Sequence, residues 1–233
     1  MIPLGDRNPT RTFPAVTLAL IGVNVAAYFL FQHGTLTLGD PSSDAYLCNL
    51  GEWAAVPREL TDSSFELGGC GGEPPSRWLT PFTAMFMHGG LIHLGGNMLF
   101  LWVFGNNIED AMGRARFLVF YLLGGLAALA LQVAVDADSA VPTIGASGAV
   151  AAVLGGYILL YPRARVYTVV FILILPLPAL VVLGFWFLQQ VAFGYFGLTE
   201  VTAGAGESGG VAYFAHIGGF LFGLLTVRAW LRR

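Results

Sequence analysis

Six apolar stretches alternate with polar ones along the chain. They lie within Phe13 to Gln32, Gly90 to Ile108, Phe117 to Val135, Ser147 to Tyr161, Val166 to Phe196 and Val211 to Trp230. A helix needs about 20 largely apolar residues to cross a bilayer. Most of these stretches approach that length, so the pattern predicts an all-α membrane protein of six transmembrane helices. The fourth stretch is short. Irregular backbone at membrane depth is tolerated only where protein or a water-filled cavity surrounds it. Val141 to Ala146 is therefore read as a loop dipping into the protein, continued by a short helix from Ser147. Residues 34–80 form a long first external loop holding Leu50, Trp53, Leu60, Phe65, Trp78 and Leu79. That loop is too apolar for a free linker and is expected to lie partly in the membrane interface, where Trp is favoured. No internal repeat or low-complexity tract interrupts the chain, which reads as a single domain over 1–233, with 1–12 as an N-terminal segment.

Composition agrees with a bilayer as solvent. Hydrophobic residues make up 56% and charged residues 11%, against about 45–50% and about 25% in soluble domains. The 11 basic residues are all Arg. If six spans alternate, Arg7, Arg11, Arg114, Arg116, Arg163, Arg165, Arg228, Arg232 and Arg233 share one side, and only Arg58 and Arg77 face the other. Positive charge marks the cytoplasmic side, so both termini are expected there, in a multi-pass cell (inner or plasma) membrane protein. Arg7 and Arg11 precede an apolar run without a small-residue cleavage site, which reads as a retained first span rather than a signal peptide. No basic run with interleaved aromatics points to nucleic acid. Cys48 and Cys70 form no CxxC pair, so a zinc site is not indicated. An external position permits a disulfide between them, but spacing alone leaves their redox state open.

Polar groups within spans are costly and are functional candidates. Ser147 sits in Gly145-Ala146-Ser147-Gly148 at the start of the fourth span. A serine hydroxyl needs a base to act as nucleophile. Flanking glycines permit close backbone approach, and a helix N-terminus favours negative charge. His216 opens the sixth span at a matching depth, and imidazole is the usual base near neutral pH. Gly219 and Gly223 lie on roughly the same helix face as His216, while Ser147, Ala151 and Gly155 line one face of the fourth span. Two such small-residue faces can pack closely. His93 and Asn97, at i and i+4 in His88-Gly-Gly-Leu-Ile-His93-Leu-Gly-Gly-Asn97, share a face and with the Ser147 amide are candidates to stabilise an oxyanion. A metal bound by His88, His93 and His216 is disfavoured, because no intramembrane carboxylate or HExxH completes the site. With no Asp or Glu at that depth, a Ser-His dyad is the simplest arrangement.

These elements resemble the rhomboid family. The likeness rests on HGGLIHLGGN (His88–Asn97), GASG (Gly145–Gly148), AHIGGFLFG (Ala215–Gly223), the GxxxExxxG pattern from Gly105 through Glu109 to Gly113, and Arg77-Trp78 ahead of Leu79. It covers nearly the whole chain in order and implies a six-helix rhomboid bundle. It further implies Ser147 as nucleophile, His216 as base, and His93, Asn97 and the Ser147 amide as oxyanion donors. By the same likeness His88 is structural in the cavity wall, Glu109 anchors the cytoplasmic end of span two, and span five is a lateral gate around Phe185 and Trp186. The position four after the serine is commonly aromatic in the family and stacks on the histidine. Here it is Ala151, so the histidine is expected to find another aromatic, Phe220 or Phe214.

The function this implies is cofactor-free serine endopeptidase action on transmembrane segments of single-span proteins, favouring small residues at the cut near Gly or Pro, with the active site open to the external side. The lipid bilayer and such substrates are the expected partners, and the oligomeric state is not indicated. The competing class is a non-catalytic rhomboid-like protein that binds client helices; relatives of that kind typically lack the serine or the histidine. A small transporter would show paired broken helices in two related halves, and Pro176 and Pro178 have no such counterpart.

Overall fold

The computed structural model describes residues 1–36, 43–67, 75–202 and 212–232, with the side chains of 198–202 left aside. The chain is mostly helical. Strand β1 (Ile2–Asp6) leads to α1 (Ala15–Ala26), which runs on through a π-helical segment, Ala27–Phe31. Three short helices follow: α2 (Asp44–Trp53), α3 (Pro57–Thr61) and α4 (Thr80–Thr83). Then come α5 (Leu91–Phe100), a second π-helical segment (Leu101–Gly105) and α6 (Asn106–Met112), forming one continuous rod. Next are α7 (Arg114–Val135), α8 (Ser147–Leu160), the strands β2 (Arg165–Val170) and β3 (Leu173–Pro178), α9 (Ala179–Thr202) and α10 (Tyr213–Thr226). Among the described residues, Arg114–Val135 and Ala179–Gly197 are long and apolar enough to cross a membrane, whereas Ala15–Phe31 and Ser147–Leu160 are apolar but shorter.

The core is three mutually packed helices, α7, α8 and α10, each in contact with the other two. Every residue from Gly148 to Tyr157 is buried, as expected of a helix apolar on all faces. Backbones meet where side chains are absent. A Cβ on Gly219 would overlap the Gly148 carbonyl, one on Gly223 the Ala152 carbonyl, and one on Gly155 the Phe220 carbonyl. On the other flank, a Cβ on Gly148 would come within 2.6 Å of the Ala128 methyl of α7. The small-residue face of α10 read from sequence is thus the one that packs on α8. On α8 the contact is carried by Gly148, Ala151, Ala152 and Gly155.

One buried carboxylate ties the first helix to this core. Glu109 of α6 is 1% exposed. It accepts hydrogen bonds from the Val16 N–H (3.0 Å), the Thr17 N–H (2.8 Å) and the Thr17 hydroxyl (2.8 Å). These amides open α1 and have no partner inside the helix. Asp110 adds bonds from the Arg11 and Thr12 amides, at 3.1 and 3.0 Å. Glu109 is therefore a helix cap, not a solvated surface charge. Just beyond, Gly113 takes φ +85, a conformation that L side chains rarely adopt, and this lets α6 turn into α7 within one residue.

One expectation needs correction and another is narrowed. The chain is not all-α, because β1, β2 and β3 form an antiparallel sheet in that order. The span read within the stretch Val166 to Phe196 is confined to the second part of that stretch. The first part is the β2–β3 hairpin, and the helix starts only at Ala179. Pro176 and Pro178 deny a helix two backbone donors, and β-branched Val166, Val169, Val170 and Ile174 favour a strand.

The described part of the first loop is built rather than loose. Ala55 and Thr143 form an isolated antiparallel bridge, Arg58 N–H donates to the Ser139 carbonyl (3.0 Å), and Gly145 N–H donates to the Ala84 carbonyl (2.9 Å). The irregular segment ahead of Ser147 thus finds its backbone partners in the first loop and the residues after it. Cys48, in α2, is disulfide-bonded; the only other cysteine, Cys70, lies outside the described residues.

Candidate functional site

Ser147 begins α8, and His216 lies in the first turn of α10. The close packing of α8 on α10 sets their separation. His216 Nε2 is 2.8 Å from Ser147 Oγ. The first turn of α10 is itself held by α7, since Gln132 Oε1 accepts the Ala215 N–H at 3.2 Å.

The second ring nitrogen of His216 meets Gln190 of α9. Nδ1 and Gln190 Oε1 are 2.8 Å apart. Gln190 is buried, and its Nε2 donates to the Trp186 carbonyl at 3.3 Å. With the amide nitrogen so engaged, the amide oxygen faces the ring. An amide oxygen only accepts, so Nδ1 carries the proton and Nε2 is left to accept from the Ser147 hydroxyl. A serine hydroxyl, an imidazole and an orienting third group in line are the arrangement that activates a nucleophile.

Trp186 also lies against His216, with ring centroids 5.8 Å apart and planes at 40°. Ala151 is fully buried, its methyl close to where a Gly219 Cβ would sit. The aromatic contact to His216 therefore comes from α9. It is neither Phe220 nor Phe214 that makes it. Phe220 stacks on Phe187 (4.3 Å, 21°) and backs Trp186 at 6.2 Å, while the Phe214 ring packs beside Gly194. Of the two residues read as a gate, Phe185 is exposed and Trp186 turns inward.

On the other side of Ser147 stands His93. Gly89 N–H donates to His93 Nδ1 at 3.1 Å, so a neutral ring carries its proton on Nε2. That edge faces Gly145. A Cβ there would lie 2.9 Å from His93 Nε2 and 3.4 Å from Ser147 Oγ, and Gly145 has φ +119. Glycine is thus required twice, for the backbone angle and for the space between His93 and Ser147. Asn97 spends one of its two N–H groups on the His93 carbonyl of the preceding turn (3.1 Å). His88 is fully buried, its ring edge-on to His93 at 5.2 Å. Its backbone is clamped, the N–H by Gln32 Oε1 (2.8 Å) and the carbonyl by Gln32 Nε2 (3.3 Å) and the Tyr46 hydroxyl (3.0 Å). A small cavity beside Ser147 is lined by Ala55, Met85, Thr143, Gly145 and Ala215 among others. Among the described residues, no group of three His, Cys, Asp or Glu is placed to share a metal ion.

Gln190, Trp186 and Gln132 are the site residues that sequence reasoning missed or assigned elsewhere. A polar residue deep in an apolar stretch was the available signal for both glutamines.

Comparison with known proteins agrees with this architecture. A rhomboid domain matches residues 75–233. Rhomboid protein 1, mitochondrial, of Saccharomyces cerevisiae is 35% identical over 222 residues, covering 92% of this chain and 53% of that protein. Presenilin-associated rhomboid-like protein A, mitochondrial, of Danio rerio is 30% identical over 64% of this chain and 37% of its own length. Rhomboid protease GluP of Bacillus subtilis is 37% identical over a shorter stretch, 34% of this chain and 15% of that protein. The chain spans about half the length of the yeast relative, and less of the others. With the domain match covering most of its length and helices α5 to α10 falling inside it, the chain belongs to the rhomboid family of membrane-embedded proteins.

Proposed function

We propose that the chain is an intramembrane serine endopeptidase that cleaves transmembrane segments of single-span membrane proteins. The observation that carries this reading is the 2.8 Å contact between His216 Nε2 and Ser147 Oγ, with Nδ1 held on Gln190. A non-catalytic binder of client helices has no need of a serine, a base and an orienting group in line.

In the proposed reaction Ser147 Oγ attacks the scissile carbonyl carbon while His216 Nε2 takes the hydroxyl proton. The Nδ1–H bond to Gln190 supports the imidazolium that forms. The carbonyl oxygen becomes an oxyanion that accepts from the His93 Nε2–H and the Ser147 N–H. The second Asn97 N–H is a further donor from the same helix face. Preorganised donors of this kind supply much of the rate enhancement in acyl transfer. Collapse breaks the C–N bond, and His216 gives its proton to the leaving amine. Water then attacks the acyl-enzyme, again with His216 as base, releasing the acid and restoring Ser147. The alanine- and glycine-lined cavity beside Ser147 supports a preference for small side chains at the cut. Six spans with the arginine-rich loops and both termini on the cytoplasmic side complete the proposal, and α9 is the side from which a substrate helix would approach.

The test compares wild type with Ser147→Ala in proteoliposomes holding a single-span reporter whose helix is weakened by Gly and Pro. Cleavage by wild type alone is expected. Equal cleavage by both overturns the assignment of Ser147. If neither cleaves, a serine-directed fluorophosphonate decides. Labelling that depends on Ser147 keeps the protease reading, and absence of labelling replaces it with client binding.

A further inference from the structure

The β2–β3 hairpin carries an apolar tip that no described residue covers. Phe171 is 97% exposed and Ile172 is 92% exposed, and Leu173, Ile174 and Leu175 are exposed behind them. Ile2, paired with Val169 beside the tip, is exposed as well. Successive strand residues point to opposite faces. Leu173 and Leu175 lie on one face and Ile174 on the other, so both faces of β3 are apolar. A protein groove would cover one face, whereas a liquid of acyl chains surrounds both.

Phe171 adds a second observation. It has φ +56 in a two-residue turn. Turns of this kind favour Gly, Asn or Asp where φ is positive, and a bulky residue there is strained. In water the turn would keep an aromatic against both strain and exposure. In lipid the burial of the ring offsets the strain.

The free edge of β3 fits the same medium. Val170 pairs with Leu173 across the turn, Thr168 with Leu175, and Val166 with Leu177. In an antiparallel hairpin these pairs exchange hydrogen bonds, leaving 174, 176 and 178 with their backbone groups turned outward. Residues 176 and 178 are both proline, which has no N–H. The outward edge therefore lacks two of the three donors that would demand water or another strand.

The sheet also points the right way. At one end of β1, Asp6 accepts a hydrogen bond from Asn107 Nδ2 at 3.1 Å. From there β1 packs back along the Leu101–Gly105 segment and α5. Those residues lie deeper in the second span; six residues of helix are about 9 Å. The turn at Phe171 and Ile172 lies beyond the Ile2 end of β1, so the tip is directed toward the middle of the span. At its other end the hairpin is continuous with α9, whose Leu180, Val181, Phe185 and Leu188 are exposed.

We propose that the hairpin Arg165–Pro178 is a lipid-inserted element whose tip, Phe171 to Leu175, sits among acyl chains of the leaflet on the arginine-rich side, next to the foot of α9. The proposal rests on the membrane embedding of the family and not on protease activity. It is tested with a nitroxide on Ile172→Cys in phosphatidylcholine–phosphatidylglycerol vesicles. Among the described residues no cysteine is free, so labelling without reductant, with the unsubstituted chain as control, reports the added thiol, and a position this exposed tolerates the change. Arg163→Cys, at the base of the hairpin, is the aqueous reference. Oxygen should relax the label at 172 more than a water-soluble nickel chelate does, with the order reversed at 163. Nickel dominating at 172 as well overturns the proposal in favour of a tip in water. A label at 172 shielded from both relaxants overturns it in favour of a protein contact, such as a second copy of the chain.

Discussion

The two sides of the His216 ring are held by parts of the molecule with opposite character. On one side, α7, α8 and α10 meet backbone to backbone through Gly148, Gly155, Gly219 and Gly223, and α8 is buried along ten consecutive residues from Gly148 to Tyr157. On the other side α9 presents Leu180, Val181, Phe185, Leu188, Val191 and Phe193 outward. It reaches the site through Trp186 and Gln190. Ser147 and His216 are thus placed by a rigid unit with no room for a single added methyl at several points. The tautomer and tilt of the imidazole are set by a helix whose outer apolar face is exposed along much of its length. In the proposed reaction, placement and activation of the base are therefore separated between two structural units. A movement of α9 would disarm the histidine without disturbing its distance from the serine helix.

That division can be broken from either side. The largest effect is expected for Gly223→Leu, whose side chain would enter the Ala152 backbone. Overpacking typically costs about 1–3 kcal/mol and occasionally more, and here the obstacle is backbone that cannot turn aside, so thermal unfolding in detergent should show loss of the folded state, and activity should vanish with it. Gln190→Ala should do the reverse, leaving the melting temperature nearly unchanged while lowering kcat/KM. A hydrogen bond to a group that becomes charged contributes about 1.5–3 kcal/mol, which is a loss of about 10- to 100-fold. Gln190→Glu keeps an acceptor on Nδ1 and adds negative charge that favours the imidazolium. It should retain more activity than the alanine variant and move the acidic limb of the pH–rate profile upward. Equal loss in both variants, with an unmoved profile, would reduce Gln190 to a packing residue.

Glu109→Gln probes the anchoring of α1, remote from His216. It removes the charge that three donors share and should cost about 1–3 kcal/mol, read as a lower melting temperature with activity of the surviving folded fraction preserved. The smallest effect is expected for Trp186→Phe, which keeps an aromatic beside His216 but shrinks the contact. An aromatic pair contributes about 0.5–1.5 kcal/mol, so a fall of only several-fold is expected. A collapse of activity in this variant would make Trp186, rather than Gln190, the main support of the ring.

Depth and spacing made part of this site legible in the sequence. Ser147 and His216 stand at matching ends of two apolar stretches, and Gly219 and Gly223 announce a close helix contact. Ala151 signalled that histidine support had to come from a different residue, but helical period alone could not say which. Trp186 and Gln190 are separated by one helical turn and share a face, yet Gln189 and Gln190 are adjacent polar residues about 100° apart around the helix, so they do not by themselves mark which face turns inward. The hairpin was hidden for a related reason. Strands are found in sequence by alternation of apolar and polar residues, and Leu173 to Leu175 is apolar on both faces, so the run reads like the start of a span.

The sequence by itself determined the solvent, the helical character, the candidate nucleophile and base, and the family likeness, because each depends on residue type and local spacing. Tertiary structure decided that Glu109 caps α1, that Thr143 and Gly145 find their backbone partners at Ala55 and Ala84, that Gln190 faces His216, and that Val166 to Pro178 folds back as a hairpin. Each of those joins groups far apart in the chain or selects one face of a largely apolar helix. Such choices are made by the packing of whole elements against one another.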